Sequence, residues 1–406
     1  LLIVTFTSAA ASEMRERIFT AINQELLLKP ESEHLQRQAA LIHNAQITTI
    51  HSFCLQVIRN YFSEIQLDPS FRIADEGELK LIKKEVMEEL LEDCYEEKTE
   101  EFLHFVETYG SGNQDKVLED LIEKVYQFTM SFPMPDLWIK ECVENLNSTN
   151  KETVLGGKTT IYLLDYTKKV LLSCESALES AMHLALTKDG PYMYEDNLKK
   201  DLESIRELLS CCENYEIFRE KMGALQFSTL SRKSDSSVSE YKKESVKALR
   251  NDVKDCLKKL QEKFFFDTID SFVTLEQHAA KALETLLNLV GEFSDRLTKA
   301  KQEKNILDFN DMEHYALKIL LKEEDGVFIP TKVAKDYQNY FEEIIVDEYQ
   351  DSNFVQEYIL SAVSKESSGL HNRFMVGDVK QSIYRFRLAR PEHFKKKYVE
   401  YPKKPL

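Results

Sequence analysis

The stretch IIVDEYQDSN, residues 344–353, decides how this chain is read. Three apolar residues suited to a buried strand run straight into two adjacent carboxylates, Asp347 and Glu348. A second stretch, FMVGDVKQSIYRFR at 374–387, soon repeats the order of strand and then acid. In open parallel sheets ligands sit beyond the carboxyl ends of the strands. Successive side chains at such an end point in different directions, which suits two jobs. One acid can hold a hydrated Mg²⁺, and the other can orient or deprotonate a water that attacks a phosphate.

Four apolar segments read as buried strands, each ending at a motif: LLIVTF (1–6), QITTI (46–50), EIIVD (343–347) and RFMVG (373–377). Runs that are apolar at consecutive positions predict a parallel sheet covered on both faces. Helices follow three of them. The first opens at Ser8 as N-cap and aligns Ala11, Met14, Ile18 and Ile22. The second aligns Cys54, Ile58, Tyr61 and Phe62, and the third is NFVQEYILSAV after the acids. Only 11 glycines and 9 prolines in 406 residues predict a mostly helical chain.

Between about 75 and 300 the texture changes to long charged helical stretches with no strand pattern, such as EGELKLIKKEVMEELLEDCYEE. The Ser-rich segment 228–243 reads as a loop. At 306–320 the pattern resumes, with Asp308 and Asp311 spaced as a capping pair. Met312, Tyr315, Ala316, Ile319 and Leu320 then repeat as a buried helical face. The expected organisation is an α/β domain in two parts, 1–75 and 301–406, interrupted by an all-α insertion at 76–300.

A net charge of −17 argues against nucleic-acid binding when taken alone. The run from Lys380 to Lys397 is nevertheless a basic track, with Arg385, Arg387, Arg390, Lys395 and Lys396 against Glu392 alone. Seven cysteines without C-x-x-C spacing read as reduced thiols. No apolar run is long enough to predict a membrane span, and no secretory signal pattern is present. The chain begins with Leu1, which suggests a piece of something longer.

An apolar strand ending in Asp-Glu is the generic Walker B arrangement, although a solvated strand end is the commoner meaning of that pair by itself. Four segments in order change this balance. LLIVTFTSAAASEMRERI (1–18), ITTIHSFCLQVIRNYF (47–62), LDFNDMEHYALKIL (307–320) with VDEYQDSN (346–353), and FMVGDVKQSIYRFRLARPEHF (374–394) resemble motif Ia, the next single-strand-contacting motif, motif II and motif III of the UvrD-like superfamily 1 DNA helicases. The wording KQSIYRFRLA is similar to the AddA branch, a group of helicase/nuclease proteins of bacterial recombinational repair. SFPMPDLWI (131–139) has the flavour of that branch's helical insertion.

The resemblance implies a RecA-like P-loop NTPase sheet and an ATP-dependent DNA helicase that uses ATP and Mg²⁺. It implies that Asp347 coordinates Mg²⁺ and that Glu348 is the catalytic base. It places Gln350 with the nucleotide loop and Gln381 beside the γ-phosphate. Thr5, Phe6, Thr7, His51, Ser52, Tyr384, Phe386 and Arg387 would face DNA, single- or double-stranded in the intact motor. Aromatic stacking contributes roughly 1–3 kcal/mol per base without regard to sequence. An AddB-like partner chain, exonuclease activity in the intact protein and a cytoplasmic, nucleoid-associated bacterial location are also implied. Phe386 stands where most relatives have Trp, Ser8 where Asn is frequent, Ser352 where Thr is common, and Arg390 where an acid is common.

The family's phosphate-binding loop, G-x-x-x-x-G-K-[ST], does not occur in this sequence. That loop is expected before residue 1, and the second motor domain and nuclease domain after residue 406. The chain is therefore expected to be a fragment with little turnover of its own. Two rival readings are a catalytically dead DNA-binding scaffold of the same fold and a two-metal nuclease built on Asp347, Glu348, Asp351 and Asp378.

Overall fold

The computed structural model describes residues 1–110, 115–147, 150–233, 235–266, 268–324, 327–382 and 389–400. Strand β1 (Leu2–Thr5) leads into helices α1 (Ser8–Leu28) and α2 (Glu33–Leu41). Strand β2 (Gln46–Thr49) leads into α3 (Ile50–Tyr61), and β3 (Arg72–Ile73) follows. Ten helices come next: α4 (Glu76–Glu97), α5 (Glu100–Tyr109), α6 (Lys116–Thr129), α7 (Pro135–Asn147), α8 (Lys151–Leu155), α9 (Lys158–Ala185), α10 (Glu195–Ser210), α11 (Tyr215–Ala224), α12 (Glu240–Phe264) and α13 (Ile269–Glu303). The chain then forms β4 (Ile306–Leu307), α14 (Phe309–Leu320), β5 (Leu321–Glu324), β6 (Val327–Pro330) and α15 (Lys332–Tyr340). It ends with β7 (Ile344–Val346), α16 (Phe354–Val363), β8 (Arg373–Met375) and α17 (Pro391–Glu400).

The four strands read from the sequence form one parallel sheet in the order β2-β1-β7-β8. Its register sets Ile3 against Ile47 on one side and Ile345 on the other. Alternation then divides the side chains between two faces. Leu2, Val4, Ile344 and Val346 join a core with Phe53, Ile58, Phe341 and Ile359. Ile3 and Ile47 pack on the opposite face with Ala11 and Ile42. Both faces are covered, which is why these strands read as unbroken apolar runs.

Two compact units divide the chain. One comprises 1–143 and 284–406, and the other 144–283. The larger unit holds the sheet. Within it Tyr126 meets Phe293 edge-on at 5.2 Å. Lys301 is buried and donates to Asp308 at 3.0 Å and Asp311 at 2.7 Å. Those aspartates form the expected capping box at the start of α14. The smaller unit is helical throughout its core, where Leu171, Leu198, Ile205, Phe218, Val246 and Val253 pack together. Its buried Arg250 donates Nε–H to Asp201 Oδ2 at 2.5 Å and Nη2–H to the Ser228 carbonyl at 2.7 Å.

Several expectations need correction. Thr7, not Ser8, caps α1: its backbone is extended and its Oγ1 accepts from Ala10 N at 3.1 Å, while Ser8 is already helical. Either residue type makes a good cap, so sequence alone could not separate neighbours. The loop expected over 228–243 stops at Ser239, which caps α12. Two features had no expectation: a parallel contact of two residues between β3 and β4, and the β5–β6 hairpin. All seven cysteines are free thiols. Among the described residues no helix is long and apolar enough to cross a membrane.

Candidate functional site

Strand β7 delivers Asp347 to the carboxyl edge of the sheet. Its backbone N–H still donates to the Val4 carbonyl at 2.9 Å, so the acid is anchored to the neighbouring strand. Its Oδ1 accepts from Glu348 N at 3.0 Å. Glu348 then leaves the strand in the left-handed region, with φ of 53° and ψ of 40°. For a residue with a Cβ this costs of order 1–3 kcal/mol, and such conformations cluster where geometry serves a function.

The bend brings the Glu348 carboxylate back to Gln350, whose Nε2 donates to Oε2 at 2.6 Å. Gln350 is 1% exposed. Its Oε1 accepts from Asp378 N at 3.0 Å, on the loop after β8. A Cβ on Gly377 would lie 2.3 Å from that oxygen, so this position needs glycine for close approach. Tyr349 N donates to the Val376 carbonyl at 2.9 Å. Beneath, the Tyr349 hydroxyl donates to Glu357 at 2.5 Å, and Arg373 is paired with both Glu357 and Glu366. Burial alone would raise the Glu357 carboxyl, but the Arg373 guanidinium holds it below the usual range. The acid loop and the second motif loop are thus clasped together.

A small cleft of about 310 Å³ opens here, lined by Thr5, Phe6, Asp347, Glu348, Asp351, Ser352 and Gln356. Partial burial pushes the Asp351 carboxyl above its ordinary range. Its Oδ1 has no hydrogen-bond partner among the described residues. Beside the clasp, Asp378 accepts from Lys380 N at 3.0 Å and from Gln381 Nε2 at 3.2 Å. Gln381 is exposed at the end of this short turn.

The residues expected to face DNA divide into groups. Thr5 is 2% exposed and its hydroxyl donates to the Thr7 carbonyl at 2.9 Å, so its side chain shapes the strand end instead of facing outward. Phe6 is half-buried, and Thr7 is occupied as the α1 cap. At the start of α3, Ser52 shares a hydrogen bond with Thr49 at 3.0 Å. His51 is about one-third exposed and stands edge-on to Phe309 at 5.0 Å. Tyr384, Phe386 and Arg387 lie outside the described residues.

The basic track is partly consumed inside the larger unit. Lys397 pairs with Glu357 and Glu366. Arg390 lies 4.9 Å over the Phe354 ring and 6.0 Å over Phe132, which stacks on Trp138. The 131–139 segment therefore packs against the chain that follows motif III.

Glu313 was absent from the sequence expectations. It is 3% exposed and accepts from Gln356 at 2.7 Å and Asn353 at 3.1 Å, with His51 Nε2 at 3.1 Å. Burial would raise this carboxyl, but these hydrogen bonds hold it below the ordinary range. An acid placed four and seven residues before the buried Leu317 and Leu320 was the available signal.

One carboxylate on each side of a tight turn suits a hydrated Mg²⁺, which keeps several waters and needs one or two carboxylates. Among the described residues no three His, Cys, Asp or Glu side chains gather as a metal site. Asp347, Glu348, Asp351 and Asp378 accordingly do not form the cluster a two-metal nuclease requires.

A parallel sheet with an acid pair beyond an inner strand, strapped to a second loop at the neighbouring strand's end, is the RecA-like α/β class. Comparison with known proteins narrows this. The chain matches the UvrD/REP helicase N-terminal domain over residues 1–402, and it belongs to that family. It is 46% identical to AddA, the ATP-dependent helicase/nuclease protein of Lachnoclostridium phytofermentans, over 405 residues, 99% of this chain and 29% of that protein. Identity is 44% to the protein of the same name from Clostridium beijerinckii and 41% to that from Bacillus pumilus, each covered over 32% of its length. The chain thus spans about three-tenths of the curated relatives it matches.

Proposed function

We propose that this chain supplies the Walker B half of the ATPase site, and part of the single-stranded DNA track, of an ATP-driven DNA helicase. By the same reading the helicase works with an AddB-like partner chain and a nuclease in double-strand break processing, in the bacterial cytoplasm. Residues 1–75 and 301–406 would be the motor domain and 76–300 its insertion. The observation that carries the reading is the strap from Asp378 N through Gln350 to Glu348.

The chemistry follows from these contacts. Bound Mg²⁺ neutralises charge on the nucleotide's phosphates. Asp347 holds the metal's water shell or the ion directly. Glu348 accepts the proton of the attacking water, and Gln350 fixes the carboxylate oxygen that does not receive it. Gln381 lies three residues from Asp378, so a change at the γ-phosphate reaches Glu348 through one backbone amide and one side chain. Phe6, His51 and the 384–387 segment would meet the strand. In the full-length gene product, Gln350→Ala should lower DNA-stimulated ATP turnover at least tenfold with little change in KM. An unchanged turnover number would remove the strap from the mechanism.

A further inference from the structure

Glu313 lies within the fold, yet its three partners stand at the two places where function is proposed. Gln356 lines the cleft with Asp347 and Glu348. Asn353 caps α16, the helix that follows the acid loop. His51 stands at the start of α3, partly exposed. Gln356 Nε2 and His51 Nε2 approach the same oxygen, Oε1, at 2.7 and 3.1 Å. A carboxylate that is ionised cannot donate, so His51 must carry its proton on Nε2. Two donors sharing one acceptor compete for it, and a shift of Gln356 at the cleft is felt by the imidazole.

We propose that Glu313 is a positioning residue that couples the acid cleft to the DNA contact made by His51, acting through the single oxygen shared by Gln356 and His51. The proposal rests on the reading of His51 as a DNA contact. It adds a route between the sites in the α3–α14–α16 layer, separate from the Gln350 strap. Spatial intermediacy alone does not show coupling, so the test is a double-mutant cycle.

The test measures binding of a labelled 20-nucleotide oligo(dT) to the 406-residue chain by fluorescence anisotropy. His51→Ala and Glu313→Gln should each weaken binding by about fivefold to tenfold, the scale of one charge-assisted hydrogen bond. The double variant should bind no more than about twofold weaker than either single one. Multiplying effects, or Glu313→Gln binding like wild type with an unchanged melting temperature, would overturn the coupling alone. A wild-type chain that does not bind, or a His51→Ala chain that binds normally, would overturn the reading of His51 and the inference with it. If Glu313→Gln does not fold, Gln356→Ala serves instead. Its removal from Oε1 should move the ¹⁵N signals of the His51 ring, identified by their loss in His51→Ala. Unmoved signals would contradict the shared-oxygen route.

Discussion

The two compact units use buried charge in opposite ways. In the helical unit Arg250 and Asp201 are 1% and 3% exposed, and the Ser228 carbonyl completes their set. None of these groups hydrogen-bonds to a candidate functional residue. In the sheet-containing unit each buried polar network described above ends at a group that does. Glu313 ends at His51, Gln350 at Glu348, and Glu357 at Tyr349 in the acid loop. Charge in the first case fixes a helix packing, and in the second it aims a side chain. A buried ion pair is weak evidence for stability in itself, because desolvation offsets much of the Coulomb attraction. Where its hydrogen bonds lead is the more informative question.

This contrast can be broken most sharply in the helical unit. Arg250→Ala leaves Asp201 buried and unpaired, and should destabilise that unit by about 3–5 kcal/mol. Urea unfolding should show this loss while oligo(dT) affinity of the folded chain stays within twofold. Replacing both partners, Arg250→Met with Asp201→Leu, should recover most of the loss. A fall in DNA affinity from either variant would erase the distinction between the units.

A smaller effect should come from Gly377→Ala in the sheet-containing unit. The new methyl would meet Gln350 Oε1, so the strap must shift. ATP turnover of the full-length gene product should fall by about tenfold, roughly 1.4 kcal/mol, with a change in melting temperature too small to account for it. Equal losses in stability and rate would make the strap a packing contact only.

The smallest effect concerns acid. Glu313 and Glu357 are both held below the ordinary glutamate range in the folded chain. A depressed carboxyl contributes stability above its unfolded pKa, about 4.3, and that stability is lost as pH falls through the folded value. The urea midpoint should therefore decline between pH 5 and pH 3, and less steeply in Glu357→Gln. An identical slope in that variant would mean that Glu357 does not carry the acid sensitivity.

Much of this layout was legible in the residues. The sheet was readable because strands buried on two faces have no polar alternation to confuse them. The capping box at Asp308 and Asp311 follows from spacing alone. The β3–β4 contact was too short for any periodicity, and the β5–β6 hairpin is polar on the β5 side, where Lys322, Glu323 and Glu324 are exposed. The Asp-Gly pair at 325–326 was its one usable signal in sequence. The acid pair was legible from position, whereas its aim was not. The left-handed turn at Glu348 and the reach of Gln350 depend on a loop 28 residues further along the chain. Arg390 looked like part of a DNA track, but its aromatic partners come from Phe132 and Phe354, which no local pattern links to it.

The most direct measurement is DNA-stimulated ATP hydrolysis by the full-length gene product carrying Glu348→Gln. The substitution keeps the shape and removes the base, and positioned bases contribute about 10²–10⁴ in rate. The expected result is a loss of at least a hundredfold in turnover with ATP still bound. Turnover within threefold of wild type would contradict the assignment of the β7 acid pair as the hydrolytic half of the motor.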